Sequence, residues 1–256
     1  MSPLDHQATA LALETTRIVG ALIVAPTPIQ NAPVRARAAL AILLAFVVHS
    51  TTAGHPPLFD SWLRVVIAAP GEMLLGVAMG MTFRLAIASV EIASEAFGPM
   101  IGFGLASLFD PKTQSQESAL ARMLRMFAML LAVIAGVHRV LIGSLLASFR
   151  AIPVGMVVAP QATALDLVSM TGESIAFGLR LALPLLSILL LGQLALAFIS
   201  RAAPQLGIFG VGFAVSAMLG AFVLIASLND YASAVLFELG RVGGWIEIII
   251  RSAQGA

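Results

Sequence analysis

Two long uncharged segments near the C-terminal end constrain this chain more than any other feature. Leu181–Ser200 and Ala202–Asn229 contain no charged residue, and Arg201 alone separates them. About 20 consecutive, predominantly apolar residues are enough for a helix to cross the hydrocarbon core of a bilayer. Each segment therefore predicts a membrane-spanning helix.

The composition of the whole chain agrees with a membrane protein. Of its 256 residues, 59% are hydrophobic and 11% are charged, and the mean hydropathy is +1.00. An ordinary soluble domain has roughly 45–50% apolar and about 25% charged residues. Asp5 and Glu14 stand where a cleavable signal peptide would be basic, so the N-terminus is expected to be retained.

The inventory of reactive and charged side chains excludes several classes of function. The chain has no cysteine, which rules out disulfides, zinc–cysteine clusters and thiol nucleophiles. His6, His49, His55 and His138 are not spaced like metal ligands, so neither a metal nor another cofactor is expected. The 14 basic residues are scattered singly, which argues against a nucleic-acid surface.

Apolar stretches separated by proline, glycine and polar residues predict seven helices. Six main hydrophobic helices are expected at about residues 8–25, 36–52, 62–92, 119–149, 173–200 and 205–228, and an amphipathic C-terminal helix at about 231–251. The predicted fold is therefore an all-α membrane protein, with residues 1–256 in a single membrane-embedded domain. The C-terminal helix is expected to dock on a partner or on the membrane surface.

Several of these helices are too short or too charged to lie alone in lipid. Ala38–Val48 is an apolar run of eleven residues, the third helix carries Glu72 and Arg84, and the fourth meets His138 and Arg139 in mid-helix. A charged side chain in hydrocarbon costs at least about 2.5–3.5 kcal/mol. We therefore expect these helices to pack against other protein, with Glu72 buried against it.

Two carboxylates lie one helical turn apart on the third helix. Glu91 and Glu95 share one face at i, i+4 spacing, where like charges repel each other. This spacing predicts either a cation close to that face or a face in contact with water.

Small residues recur at four-residue spacing, which allows the backbones of two helices to approach closely in a membrane. The pairs are Gly76 with Gly80 and Gly98 with Gly102, and Gly104 follows just before Asp110. The pattern indicates tightly packed helices, ending at Asp110 in a turn or loop.

Residues 109–118 form the most polar stretch of the chain. The residues alone leave two interpretations open: an ordinary solvated loop, or a loop that lies across a pore. Irregular backbone is tolerated at membrane depth when water or protein satisfies its hydrogen bonds.

Taken in order, the motifs of the chain resemble a known family. They are Arg17-x-x-Gly20-Ala21, Ala25-Pro26, Pro33-Val34-Arg35-x-Arg37, Glu72-x-x-x-Gly76-x-x-x-Gly80, the run Gly98–Leu105 before Asp110-Pro111, the residues His138, Ser148 and Pro153, then Leu183-Pro184, the run Ser200–Phe209 and Gly212-Phe213. Over about residues 12–228 this order is similar to the FliR family, the type III export-gate subunits of flagella and of injectisomes (the SctT, YscT and SpaR kind). The chain departs from the family at Gly207, where asparagine is usual, and at Gly136-Val137, where Asn-Gly is usual.

The resemblance implies a subunit of a conduit for unfolded protein rather than an enzyme. It implies that FliP-like and FliQ-like subunits complete a closed channel, that an FlhB-like subunit surrounds its entrance, and that the helices form bent hairpins. It also implies a multi-pass protein of the bacterial inner membrane, in contact with lipid and exported polypeptide, within a flagellar basal body or an injectisome. No catalytic residue, cofactor or nucleic acid is implied.

The resemblance further implies two sets of site residues. The channel plug would be Phe109, Asp110, Pro111, Lys112, Thr113, Gln114, Ser115, Gln116, Glu117 and Ser118. Helix packing or subunit contact would involve Arg17, Pro26, Arg35, Arg37, Glu72, Gly76, Gly80, Gly98, Gly102, Gly104, His138, Pro184, Arg201, Pro204, Gln205, Phe209 and Gly212.

Three other functions compete with this interpretation. A small-molecule transporter would use helices broken at Pro70 and Pro184 around charges at the membrane midplane. An intramembrane enzyme would use Glu72, His138 or Asp110, but the chain lacks the G-x-S-x-G and H-E-x-x-H motifs. A plain scaffold would have no pore and no plug.

Overall fold

The computed structural model of the chain describes residues 3–26, 33–52, 62–101, 119–156, 160–202 and 208–255. Within these ranges all regular structure is helical, which confirms the predicted all-α fold. The helices are α1 (Pro3–Val24), α2 (Val34–Thr52), α3 (Trp62–Phe97), α4 (Ala119–Ile134), α5 (Val137–Ala151), α6 (Pro160–Ala202), α7 (Ile208–Ala226) and α8 (Leu228–Gln254), with a 3₁₀ turn at Gly98–Ile101.

The described residues fall into two compact units. Unit 1 comprises Met1–Ala86, Ala132–Gly172 and Leu239–Ala256, and unit 2 comprises Ile87–Leu131 and Glu173–Glu238. In unit 1, α1 packs against α2, and α2 also contacts α5. In unit 2, α7 packs against the 3₁₀ turn, where Ile101 is buried.

One of the predicted helices proves to be a bent pair. The predicted helix 119–149 is wrong as a single element, because Gly136 has φ 73° and the chain bends by 62° between α4 and α5. Glycine adopts this left-handed conformation without the penalty that a side chain would bring. His138 and Arg139 therefore lie in the first turn of α5 and not in mid-helix.

Helix α6 is longer than its apolar core predicted. It begins at Pro160, although residues 153–166 were expected to separate two helices. Proline suits the first turn of a helix, where its missing N–H would have no partner. The polar residues that follow it, including Thr163 and Asp166, lie within the helix. The third helix likewise continues to Phe97, beyond the predicted residue 92.

The C-terminal helix α8 is amphipathic, as predicted, but its apolar face packs within the chain. Val235, Leu239, Val242, Ile246 and Ile249 recur every three to four residues and are all buried within the chain. The expectation that this helix docks on a partner or on the membrane surface is therefore wrong for its apolar face. Only Ser227 separates it from α7, with a bend of 58°.

Three of the described helices, α1, α3 and α6, are long and apolar enough to cross a membrane. The number rises to five if the bent pairs α4–α5 and α7–α8 each count as one span. Helix α2, whose apolar run Ala38–Val48 is short, is not among them. This arrangement agrees with the predicted fold of hydrophobic helices and bent hairpins.

Candidate functional site: a buried charge cluster and an exposed apolar surface

Helices α1 and α3 approach each other to backbone contact in unit 1. A Cβ atom on Gly76 would collide with the backbone oxygen of Arg17, and one on Gly80 would collide with that of Ala21. A Cβ on Gly20 would lie 2.5 Å from a backbone oxygen of α3. Only glycine permits this spacing, so the predicted small-residue pair on α3 is where the two helices meet.

A buried ion pair lies at this contact. The Nε of Arg17 is 2.6 Å from the Oε2 of Glu72, and both side chains are fully buried. The Nη1 of Arg17 donates to the Oγ of Ser148 and its Nη2 donates to the carbonyl of Ile152, each at 3.2 Å. The backbone N–H of Gly155 donates to the Oε1 of Glu72 at 2.7 Å. The cluster thus joins α1, α3, the end of α5 and the turn that follows it.

The cluster leaves neither charge without compensation. The guanidinium of Arg17 also lies 4.4 Å from the centroid of the Phe149 ring, a favourable cation–π distance. A buried ion pair is tolerated only when such hydrogen bonds offset the loss of water around both ions. Arg17 therefore holds three helices together. Ile152 and Gly155, which act through backbone groups, carry no side-chain signal that the sequence could have revealed.

A second polar contact in unit 1, between a histidine and a carboxylate, joins α1 to α2. The Nδ1 of His49 is 3.2 Å from the Oε2 of Glu14, whose side chain is 4% exposed. Sequence reasoning missed this pair, although a histidine directly after the apolar run of α2 was a visible signal. Among the described residues no three histidine or acidic side chains are grouped so that they could hold a metal ion.

In unit 2, Glu91 has the cation that its spacing from Glu95 predicted. The Nη1 of Arg125 on α4 is 3.4 Å from the Oε1 of Glu91, and both side chains are partly exposed. The prediction of a partner cation for this face is confirmed. Farther along unit 2, the side-chain amide of Gln193 donates to the Oγ of Ser216 at 3.2 Å and links α6 to α7.

The outer surface of α6 is apolar and exposed. In the most apolar 18-residue window of this helix, only 17% of the residues are buried within the chain. Its exposed large side chains include Leu183, Ile188, Leu190, Leu191, Leu194, Phe198 and Ile199, and α7 adds Val215, Met218, Phe222 and Ile225. This exposed area is far larger than a protein surrounded by water would leave uncovered.

The other predicted site residues are scattered over the structure. Pro26 is buried after α1, Arg35 is exposed at the start of α2, and the Nε of Arg37 is buried without a hydrogen-bond partner in the part of the chain that the structure describes. His138, Pro184 and Arg201 are exposed, on α5, within α6 and at the end of α6, respectively. Gly98 is buried in the 3₁₀ turn, and the carbonyl of Gly212 accepts a hydrogen bond from Ser216.

Some predictions fall outside the described residues. These are the whole predicted plug, residues 109–118, together with Gly102, Gly104, Pro204 and Gln205. Phe209 lies in the first turn of α7. Among the predicted site residues that the structure describes, Arg17, Glu72, Gly76 and Gly80 come together at one contact in unit 1.

Comparison with known proteins adds a family to this geometry. Residues 8–241 match the family described as "Bacterial export proteins, family 1". The chain is 32% identical over 220 residues to the flagellar biosynthetic protein FliR of Escherichia coli (strain K12), an alignment that covers 82% of each chain. It is 35% identical over 153 residues to the protein of the same name from Pectobacterium carotovorum subsp. carotovorum, covering 60% of this chain and 59% of that protein. With the FliR of Bacillus subtilis (strain 168) it shares 25% identity over 203 residues, 78% of each. None of these similarities supports the small-molecule transporter.

Proposed function

The chain belongs to the bacterial export proteins, family 1, and on this premise we propose that it is a core subunit of the gate through which the flagellar type III apparatus exports unfolded protein. The resemblance seen in the sequence is thereby confirmed at the level of the family. A component of the flagellar export apparatus is the function that the family and the named relatives support.

The observation that carries the finer proposal is the exposed apolar surface of α6 in a chain of this family. A helix of 43 residues with only 17% of its apolar window buried must be covered by something other than its own chain. In the proposed assembly, FliP-like and FliQ-like subunits cover this surface, and an FlhB-like subunit lies near the channel entrance. The proposal treats residues 1–256 as one functional domain in the bacterial inner membrane.

The proposal gives the remaining predicted site residues two tasks. The buried cluster around Arg17 and Glu72 would hold the chain in the shape that its partners recognise. The polar residues 109–118 would close the channel when no substrate occupies it. The chain would bind exported polypeptide without catalysing a reaction.

Co-purification tests the proposed assembly. The full chain carrying an affinity tag is co-expressed with FliP-like and FliQ-like subunits and extracted in a mild detergent. The mass of the intact complex is then measured. The proposal expects a complex that contains both partners and one copy of this chain. A chain that purifies alone, or only with copies of itself, would contradict the proposal.

Deletion of residues 109–118 separates a gate subunit from a plain scaffold. A plug predicts that cells with the deletion leak small solutes while the complex still purifies intact. Replacement of the same residues by a Gly/Ser segment of equal length is the matched control, since it keeps the chain length and removes the side chains. An intact complex without any leak in either variant would favour the scaffold.

A further inference from the structure

A cavity of about 480 Å³ lies within unit 2, between α6 and the junction of α7 with α8. Its volume is within the range of small-molecule sites, roughly 300–1,000 Å³. The α6 side is lined by Phe177, Arg180 and Pro184, and the opposite side by Asp230 and Tyr231. The site is thus an apolar space with two charged groups at its edge.

The two charged side chains are of opposite sign and do not pair. Arg180 and Asp230 are both exposed, and within the described residues neither forms an ion pair with the other or with a third side chain. The hydroxyl of Tyr231 likewise has no hydrogen-bond partner within that part of the chain, although buried polar groups normally have one. An occupant that carried an anion and a cation close together would satisfy both charges at once.

The cavity lies at the end of the two uncharged segments. Arg180 directly precedes Leu181–Ser200, and Asp230 directly follows Ala202–Asn229. A segment of about 20 uncharged residues matches the thickness of the hydrocarbon core. If each segment crosses the hydrocarbon core by itself, a cavity that is lined by residues from one end of each lies at the level of the lipid headgroups.

Pro184, which lines the cavity, removes one backbone hydrogen bond from α6. A proline inside a helix has no N–H to donate to the carbonyl four residues earlier, here that of Arg180. The side chains of Phe177, Leu181 and Phe237 supply apolar walls on both sides of the polar groups.

We propose that this cavity binds one phospholipid with an amine headgroup, of the phosphatidylethanolamine class. The guanidinium of Arg180 binds the phosphate, the carboxylate of Asp230 binds the ammonium, and an acyl chain lies along the apolar walls. The proposal depends on α6 being in the membrane and not on the export function, so either can fail without the other.

A lipid fits these observations better than a helix of another subunit. The amine headgroup joins the two required charges within one small group, directly attached to apolar chains. The cavity lies next to the first residues of the uncharged segment Leu181–Ser200, to which an acyl chain can bind. A protein segment in the cavity is an outcome that the following experiment can detect.

Lipid retention by the purified assembly tests the proposal. The full chain is purified with the subunits that accompany it, stripped of lipid with detergent, and titrated separately with phosphatidylethanolamine, phosphatidylglycerol and inorganic phosphate. Adducts are counted by native mass spectrometry. We expect one phosphatidylethanolamine per chain to be retained about fivefold more strongly than phosphatidylglycerol, which lacks the ammonium for Asp230. Inorganic phosphate should give no stable adduct.

Three variants locate the site. Arg180→Gln and Asp230→Asn should each weaken retention about fivefold, as expected for one partly exposed charge pair. Ala234→Trp should abolish retention by filling the cavity, which Ala234 lines. Arg139→Gln removes an exposed arginine outside the cavity and should change nothing. Each variant is compared at equal yield of the intact assembly, so that a folding defect is recognised.

Several outcomes would overturn the proposal. Equal retention of the two lipids, unchanged retention in both charge variants, or an equal loss in Arg139→Gln would each do so. So would a photoreactive residue at position 237 that crosslinks to another subunit and never to lipid.

Discussion

Helices α3 and α6 are both long and apolar with an internal proline, but they differ in how much of their surface the chain buries. Each is long, 36 and 43 residues, and each contains one internal proline, Pro70 or Pro184. In their most apolar windows, 67% of the residues of α3 but only 17% of those of α6 are buried within the chain. The length of an apolar helix alone therefore does not show whether the helix packs within its own chain or faces other molecules.

The difference lies in what interrupts the apolar surface. Helix α3 carries Gly76, Gly80 and Glu72 on the side that meets α1, so small residues and a charge specify a neighbour within the chain. Helix α6 also has one close contact, because a Cβ on Gly178 would lie 2.5 Å from the backbone oxygen of Ser89. It has no buried ion pair among the described residues, however, and no charge between Arg180 and Arg201. Close contacts and a buried ion pair therefore hold α3 within the chain. Beyond Arg180, α6 keeps a continuous apolar surface that other molecules can cover.

The largest effect on this comparison is expected from Arg17→Met. The change leaves the carboxylate of Glu72 buried without its cation, which should lower the free energy of unfolding by about 3–5 kcal/mol. Stability is measured by denaturant titration of the full chain in detergent micelles.

Two further variants serve as controls for Arg17→Met. Arg150→Met removes an exposed arginine from the last turn of α5 and should have little effect. The double change Arg17→Met with Glu72→Leu should recover most of the loss, because no unpaired charge remains. If Arg17→Met lowered the free energy of unfolding no more than Arg150→Met did, the cluster around Arg17 would not be what holds α3 within the chain.

Alanine at two glycines should shift stability in opposite directions. Gly76→Ala places a Cβ against the backbone oxygen of Arg17 and should destabilise the chain by about 1–3 kcal/mol. Gly172→Ala meets nothing within 4 Å and should stabilise by up to about 1 kcal/mol through helix propensity. Melting temperatures of the two variants, measured in one detergent, compare the helices directly. Shifts of the same sign would refute the difference in packing between α3 and α6.

The smallest effect is expected from Arg125→Gln. The side chains of Arg125 and Glu91 are 38% and 30% exposed, so their pair should contribute only about 0.2–1 kcal/mol. The contribution should shrink as salt is raised from 50 mM to about 1 M, where the Debye length is only about 3 Å. A loss comparable to that of Arg17→Met would show that exposure does not separate the two pairs.

Much of the fold follows from local sequence signals. Apolar runs bounded by proline and polar residues placed α1, α2 and α7 close to where the structure has them, because each of these segments is one mainly apolar run. The spacing of Glu91 and Glu95 predicted either a cation or a face in contact with water, and Arg125 lies 3.4 Å from Glu91.

Other features depend on contacts that no local pattern contains. The break at Gly136 is decided by one left-handed residue, whereas Gly76, Gly80 and Gly172 lie inside continuous helices. The burial of the C-terminal helix is decided by neighbours distant in sequence. Arg17 donates hydrogen bonds to Ser148 and to the backbone carbonyl of Ile152, and both residues are more than 130 positions away in the sequence. Spacing alone could not have paired them with Arg17.

Site-specific photocrosslinking in intact cells tests most directly whether α6 is covered by other subunits. A photoreactive phenylalanine analogue is placed at Phe198, which is 72% exposed on α6, and in a matched strain at Phe83, which is 4% exposed on α3. The account predicts adducts between this chain and another protein subunit from position 198 and none from position 83. Adducts with another subunit from position 83, together with none from position 198, would contradict it.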